Sequence, residues 1–403
     1  MSKNRSLLRS QQFPAILLLG AALVGLLIAN TPAHDPVAGV LHSLLSLPGT
    51  SISLPVTEWI SDGILVIFFF VVALELRYEV TRGDLNSIGK AVQPAIAATG
   101  GILVPVLVYL AVAQGSDTVS GWPIPTATDI AFALGVLAMF GRGLPTAVRA
   151  FLLALAILDD IVGIIFIAVL FATDVNFALL GLAIIGVIAF GALSYFLRGR
   201  GGVLVAIVMV AIAVAVWLLV LQSGIHATIA GVALGLVMAP RPADHARHAL
   251  EPWVNALILP IFAFAAAFVV IPRVAPSELS PAFWAVVLAL PVGKIIGITA
   301  FGWLSLQVRP RGTPPTLAIL DVVAAGALGG IGFTVSLLLA NLAFAADPAT
   351  SDQAILGVLV GSLIALVLSI ALVSGRARYY RRRAPGKQHP AVKISDASEE
   401  TIA

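Results

Sequence analysis

Trp122-Pro-Ile-Pro-Thr-Ala-Thr-Asp-Ile-Ala131 is the stretch on which the fold turns. It opens an apolar run that continues to position 140, yet it holds two prolines, two threonines and an aspartate. Pro123 and Pro125 lack the backbone N–H that a helix needs. Thr128 or Asp129 is suited to cap a fresh helix beginning at Ile130. The spacing therefore predicts a helix that stops and restarts. Unpaired backbone inside an apolar run is tolerated in a bilayer only where it lines a protein cavity.

The surrounding chain shows that this run is a membrane span. Of 403 residues, 60% are hydrophobic and 11% charged, against roughly 25% charged in soluble domains. Mean hydropathy is +1.05. No globule of this size has an interior that could hide so much apolar side chain from water. At about 20 residues per crossing, the runs fall at 13–30, 60–77, 92–114, 122–140, 147–172, 176–197, 203–221, 224–240, 252–272, 282–306, 316–345 and 353–375. Twelve spans put both termini on one side. With that side in the cytoplasm, all but two of the 23 lysines and arginines fall in cytoplasmic loops and tails, the exceptions being Arg273 and Lys294, as the positive-inside bias requires.

The chain thus reads as an all-α polytopic membrane protein. A cytoplasmic tail at 1–12 precedes a transporter domain at 13–375, and a second cytoplasmic tail at 376–403 is largely disordered, polar from Pro385 onward. The first run follows a basic stretch but is long for a cleaved signal peptide. The outer loop at 31–58 carries Leu47-Pro-Gly-Thr50 between short apolar strands, the pattern of a β-hairpin. Its free strand edges suit a second copy of the chain, although a plain connector would look the same. The pI of 9.4 does not indicate nucleic acid, because the basic residues punctuate the chain between spans. There is no cysteine, which excludes disulfides, thiol catalysis and cysteine-rich metal sites.

Few charges lie deep in the runs. They are Asp129 in the fourth, Asp159 and Asp160 in the fifth, within Leu155-Ala-Ile-Leu-Asp-Asp-Ile-Val-Gly163, and Lys294 in the tenth. Each costs a few kcal/mol or more at the bilayer centre, so each is expected to be functional and to have a partner. Lys294 stands about 12 residues from either end of its run, roughly 18 Å along a helix, which is beyond snorkelling reach. A structural ion pair between Lys294 and one aspartate leaves carboxylate in surplus, and surplus buried carboxylate must take up protons or bind a cation. Neighbouring helical residues point about 100° apart. One of the two aspartates can therefore face an aqueous cavity while the other turns inward, with Ala156 and Gly163 allowing another backbone close by.

The eleventh run has its own weak point: Ala324-Ala-Gly-Ala-Leu-Gly-Gly-Ile-Gly-Phe333 holds four glycines between 326 and 332. Two interrupted segments in separate halves predict inverted-topology repeats, with helices 4 and 11 broken and crossing at the membrane midplane around a binding site. Half-helix ends carry partial charges, for which Asp129 and Lys294 are fitting counter-charges. N-capping alone would also account for Asp129, but a cap at that depth already requires a broken helix.

Ala127-Thr-Asp-Ile-Ala-Phe-Ala-Leu-Gly135, Leu155-Ala-Ile-Leu-Asp-Asp160, Ser223-Gly-Ile-His-Ala-Thr-Ile-Ala-Gly231, Gly293-Lys-Ile-Ile-Gly297 and Gly329-Gly-Ile-Gly-Phe-Thr334 together resemble the NhaA family of bacterial sodium/proton antiporters, which are built on inverted repeats. The resemblance implies that Asp160 is the main cation ligand, with Na⁺ also at Asp159 and Thr128. It implies that Asp159 exchanges a proton or a salt bridge with Lys294, and that Thr128 and Asp129 mark the crossing. Glu75 and Glu79 match a pH-responsive cytoplasmic mouth, and His226 resembles a pH-linked position, although alone at a span end it also suits a structural role. His248, in Arg247-His-Ala-Leu-Glu-Pro-Trp253 at the cytoplasmic entrance, is a further candidate for the response to pH. Two departures stand out: Ala266 replaces a common asparagine, and Arg247 occupies an acidic position.

The expected function is antiport of Na⁺ or Li⁺ against H⁺ across the bacterial inner membrane, with no cofactor, no enzymatic activity, and a homodimer formed through the hairpin. A sodium-coupled solute symporter or other cation-coupled secondary transporter is the alternative. It would need a polar solute pocket beyond the named cluster. An intramembrane aspartyl protease using Asp129 and Asp160 as a dyad lacks the Gly-x-Gly-Asp pattern, since Asp160 follows Ile-Leu-Asp.

Overall fold

The computed structural model of the chain describes residues 12–47, 52–83, 85–196, 202–307 and 317–383. Lys3, Arg5 and Arg9, the hairpin turn at 48–51, Arg198, Arg200, Arg309, Arg311 and the tail from Pro385 lie outside these residues.

The described chain is mostly helical. In order come α1 (Gln12–Ala29), α2 (His34–Leu41), a two-stranded hairpin of β1 (Leu44–Ser46) and β2 (Ser53–Pro55), α3 (Val56–Thr81) and α4 (Ile88–Ala113). Two 3₁₀ turns, Asp117–Gly121 and Ile124–Thr126, lead into α5 (Ile130–Phe140). Next are α6 (Thr146–Leu170), α7 (Phe177–Ser194), α8 (Gly202–Leu221), α9 (Thr228–Val237), α10 (Pro240–Ala266) and α11 (Pro281–Ser305). The described residues end with α12 (Ile319–Gly329), α13 (Phe333–Ala343) and α14 (Pro348–Arg383). Among the described residues, eight helices are long and apolar enough to cross a bilayer, or up to 11 if each of three bent pairs counts as one span. The eighth run supplies only the shorter apolar helix α9.

The hairpin is antiparallel, with Leu45 opposite Leu54. An additional helix, α2, precedes it and turns 115° from α1. Two helices outrun their apolar stretches. α10 begins at Pro240, a residue pre-set for the first helical turn, and continues through Arg, Ala, His and Glu residues that favour helix but are invisible to hydropathy. It stops at Ala266, short of the expected 272. α14 continues through Arg376 to Arg383, where basic side chains complement a helix C-terminus.

α4 packs along α11. Their closest approach is Gly100 against Gly297, where a methyl on either residue would collide with the other's carbonyl oxygen. That contact lets α11 lie against the centre of the molecule. The chain of α11 opens into a π turn at Ala289–Gly293, immediately before Lys294. Around this centre stand α5, α6, α12 and α13, while α7 and α8 pack on each other and on α9.

Candidate cation site

Both predicted breaks are present. The fourth span bends by 47° between its 3₁₀ turns and α5, and the eleventh by 49° between α12 and α13. The two breaks touch: the Asp129 N–H donates to Ile331 O at 2.6 Å. The Ser336 hydroxyl, from α13, donates to Ile124 O at 2.7 Å. One backbone group of each break is thus satisfied by the other, as irregular backbone among apolar spans requires.

Asp129 caps α5, its Oδ1 accepting from the Phe132 N–H at 3.0 Å. Its Oδ2 accepts from the Thr334 N–H at 3.2 Å and the Thr334 hydroxyl at 2.8 Å. Thr334 lies in the first turn of α13, so a single carboxylate faces two helix N-termini, each carrying partial positive charge. The opposite polarity gathers around Lys294. Its three N–H bonds reach Thr126 O at 2.6 Å, Thr128 Oγ1 at 3.1 Å and Asp159 Oδ2 at 2.6 Å. Thr126 O is the last carbonyl of the 3₁₀ turn before the first break. The Thr128 hydroxyl lies 2.8 Å from Asp159 Oδ2 and 2.9 Å from Gly329 O, the end of α12. With one proton, it donates to one of these at a time.

The Lys294–Asp159 pair is wholly buried, at 0% exposure on both sides. Replacing such a pair by apolar groups often costs little, whereas removing one partner is expensive. Oδ2 of Asp159 is used by Lys294 and Thr128, but its Oδ1 is buried without a hydrogen-bond partner, as is Oδ1 of Asp160. Asp160 is 6% exposed against 0% for Asp159, consistent with the 100° divergence of helical neighbours. The charges acting on Asp160 are those of Asp159, Asp129 and Glu75 against a single base, Lys294. Asp159 and Asp160 thus each keep one buried carboxylate oxygen without a donor in a net acidic centre, and an oxygen in that state calls for a proton or a small cation.

The structure thus brings Thr128, Asp129, Asp159, Asp160 and Lys294 together. The other candidates lie around this centre or apart from it. Glu75 and the buried Glu79 sit on α3, and Arg247 and Glu251 of α10 act on Glu75. The Arg247 guanidinium lies 5.0 Å from the Tyr78 ring centroid. His226 is elsewhere, with Nδ1 3.1 Å from Asp62 Oδ1 and 3.0 Å from Thr228 Oγ1. His248 is exposed and bonds only within its own helix, to Asp244 O at 2.7 Å.

Two partners were not singled out in the sequence. Asp62, whose carboxylate lies beside His226, falls within the second apolar run. Asp321 is fully buried at the start of α12, where it accepts from Arg376 Nε at 2.8 Å and from the Tyr380 hydroxyl at 2.6 Å. The signal for Asp321 was an acid inside the eleventh run, but its partners come from beyond the last one.

A profile of the family described as Na⁺/H⁺ antiporter 1 matches residues 5–373. The chain is 51% identical over 381 residues to the Na⁺/H⁺ antiporter NhaA 2 of Clavibacter michiganensis, covering 94% of this chain and 93% of the relative. It is 42% identical over 386 residues to the NhaA of Tropheryma whipplei, covering 95% and 98%. Against the NhaA of Serratia proteamaculans it is 40% identical over 385 residues, covering 92% and 97%. Likeness over nearly the whole length of each protein, in a chain whose two broken spans meet around buried aspartates, places it plainly: it belongs to the Na⁺/H⁺ antiporter 1 family.

Proposed function

We propose that the protein exchanges sodium ions, or lithium ions in their place, for protons across the bacterial inner membrane, serving pH and sodium homeostasis. Asp160 is the principal ligand, with Asp159 and Thr128 beside it. The observation that carries this proposal is the pair of buried Oδ1 atoms of Asp159 and Asp160 without donors, beside a lysine whose N–H bonds are all used. A buried carboxylate oxygen that lacks a donor is costly unless a positive ion neutralises it. Sodium and protons are then competitors for the same oxygens.

In this scheme only the loaded site reorients, and its route is the pair of breaks. Twelve spans in two inverted repeats, crossing at the membrane midplane with both termini cytoplasmic, are supported by the contact between the breaks and by the distribution of basic residues. Dimerisation through the hairpin is supported by the exposure of Leu44 and Leu45 on its edge strand, 68% and 51%. Glu75 and Glu79 on α3, and His226 and His248 apart from the centre, are the groups proposed to set the response to pH. Two protons against one sodium ion move a net charge worth about 2.3 kcal/mol per 100 mV. An inside-negative potential then drives protons in and sodium out.

The test uses everted vesicles holding an acid interior. Adding sodium or lithium is expected to dissipate the pH gradient in the wild type, and Asp160→Asn is expected to abolish that signal. An Asp160→Asn protein that keeps it would remove Asp160 from the mechanism.

A further inference from the structure

We propose that a cavity between α5 and α6 binds the phosphate of an anionic phospholipid. The cavity has a volume of about 240 Å³, opens to the surface, and is bounded by the last turns of α5, the connection at 141–145 and the first turn of α6. Its lining combines the apolar side chains of Leu134, Leu137, Leu144 and Val148 with the two arginines Arg142 and Arg149. No acidic residue lines it. Both arginines are exposed, and among the described residues neither pairs with a carboxylate.

A third arginine reaches the same connection. Gly143 has φ +104°, a left-handed conformation, and a methyl placed on it would lie 2.9 Å from Arg381 Cγ of α14. That contact and that φ keep the position glycine and bring the stem of Arg381 against the loop carrying Arg142. The stem of a third arginine, from α14, therefore lies beside the connection that carries Arg142, next to a cavity lined by Arg142 and Arg149.

Guanidinium forks match phosphate oxygens in geometry and charge. The distribution of basic residues assigns this end to the cytoplasm, where the leaflet surface is anionic and basic pockets between spans take lipid headgroups. The apolar part of the lining selects the source of the phosphate. Inorganic phosphate would leave the leucine and valine side chains facing water, whereas an acyl chain covers them. Because Asp129 caps α5, a lipid seated at the helix's far end restrains one arm of the crossing.

The test is binding to the purified full-length protein in neutral detergent, with dioctanoyl phosphatidylglycerol, dioctanoyl phosphatidylcholine and inorganic phosphate as probes. Phosphatidylglycerol is expected to saturate at a concentration about tenfold or more below phosphatidylcholine. Arg142→Gln with Arg149→Gln is expected to erase that preference while leaving phosphatidylcholine binding unchanged. Ala138→Phe, which keeps both arginines but fills the cavity, is expected to weaken both lipids and provides a second variant if the first folds poorly. Equal binding of the two lipids by the wild type would overturn the proposal. So would an arginine double variant that still prefers phosphatidylglycerol, or inorganic phosphate displacing the lipid at the lipid's own concentration. The readout is independent of transport, so failure here and failure of sodium/proton exchange are separate results.

Discussion

Asp129→Asn is the most informative single change at the crossing, because one carboxylate serves two helices. Asparagine has one acceptor oxygen where aspartate has two. If that oxygen keeps the cap on Phe132, the amide NH₂ faces Thr334, whose hydroxyl can turn to accept but whose backbone N–H cannot. The orphaned N–H costs about 1–3 kcal/mol. If the amide flips, the α5 cap is lost instead, at a similar cost of about 0.5–2 kcal/mol. Removing negative charge between two helix N-termini adds about 0.3–1 kcal/mol for each terminus. The total expected loss is about 1–5 kcal/mol on these figures. Thermal unfolding of purified protein, followed by tryptophan fluorescence, should show a midpoint lower by several degrees, at somewhat under the ~2–4 °C per kcal/mol of 150–250-residue proteins. Thr334→Val removes the hydroxyl but not the N–H, and should cost only about 1 kcal/mol. An Asp129→Asn protein melting within about a degree of the wild type would show that the carboxylate does not hold the two half-helices together.

Three further outcomes are expected. Lys294→Gln leaves Thr126 O and Asp159 short of donors and should destabilise by about 3–5 kcal/mol; adding Asp159→Asn should recover part of this in the melting temperature, and an additive double variant would contradict the buried pair. Asp321→Asn leaves Arg376 and Tyr380 competing for a weaker acceptor and should cost about 1–3 kcal/mol, whereas Tyr380→Phe should cost about 1 kcal/mol; unchanged melting in both would deny the tie between α12 and α14. In proteoliposomes, acidification should raise the apparent sodium KM and exchange should carry current. Electrically silent exchange would exclude a stoichiometry of two protons per sodium ion.

Much of the central site was legible in the sequence because burying a charge in hydrocarbon is expensive enough to stand out. Asp129, Asp159, Asp160 and Lys294 were conspicuous within apolar runs, and Pro123, Pro125 and the glycines from 326 to 332 marked the two breaks. Helix ends outside the runs were less visible. The extension of α10 back to Pro240 and of α14 to Arg383 follows from helix propensity in polar segments, which hydropathy does not register. The partners of Asp321 went unseen for that reason, since Arg376 and Tyr380 lie in the extension.

Composition and spacing alone determined that the chain spans a bilayer, that two of its helices break, and which charges are stranded there. Those properties depend on each residue's own transfer energy and backbone chemistry. Only the tertiary structure decided the pairings: Lys294 with Asp159 and Thr128, Asp129 with Thr334, and two carboxylate oxygens left without donors. Hydrogen bonds act over about 3 Å, and residues up to 205 positions apart in the chain reach that distance only when packing brings their helices together.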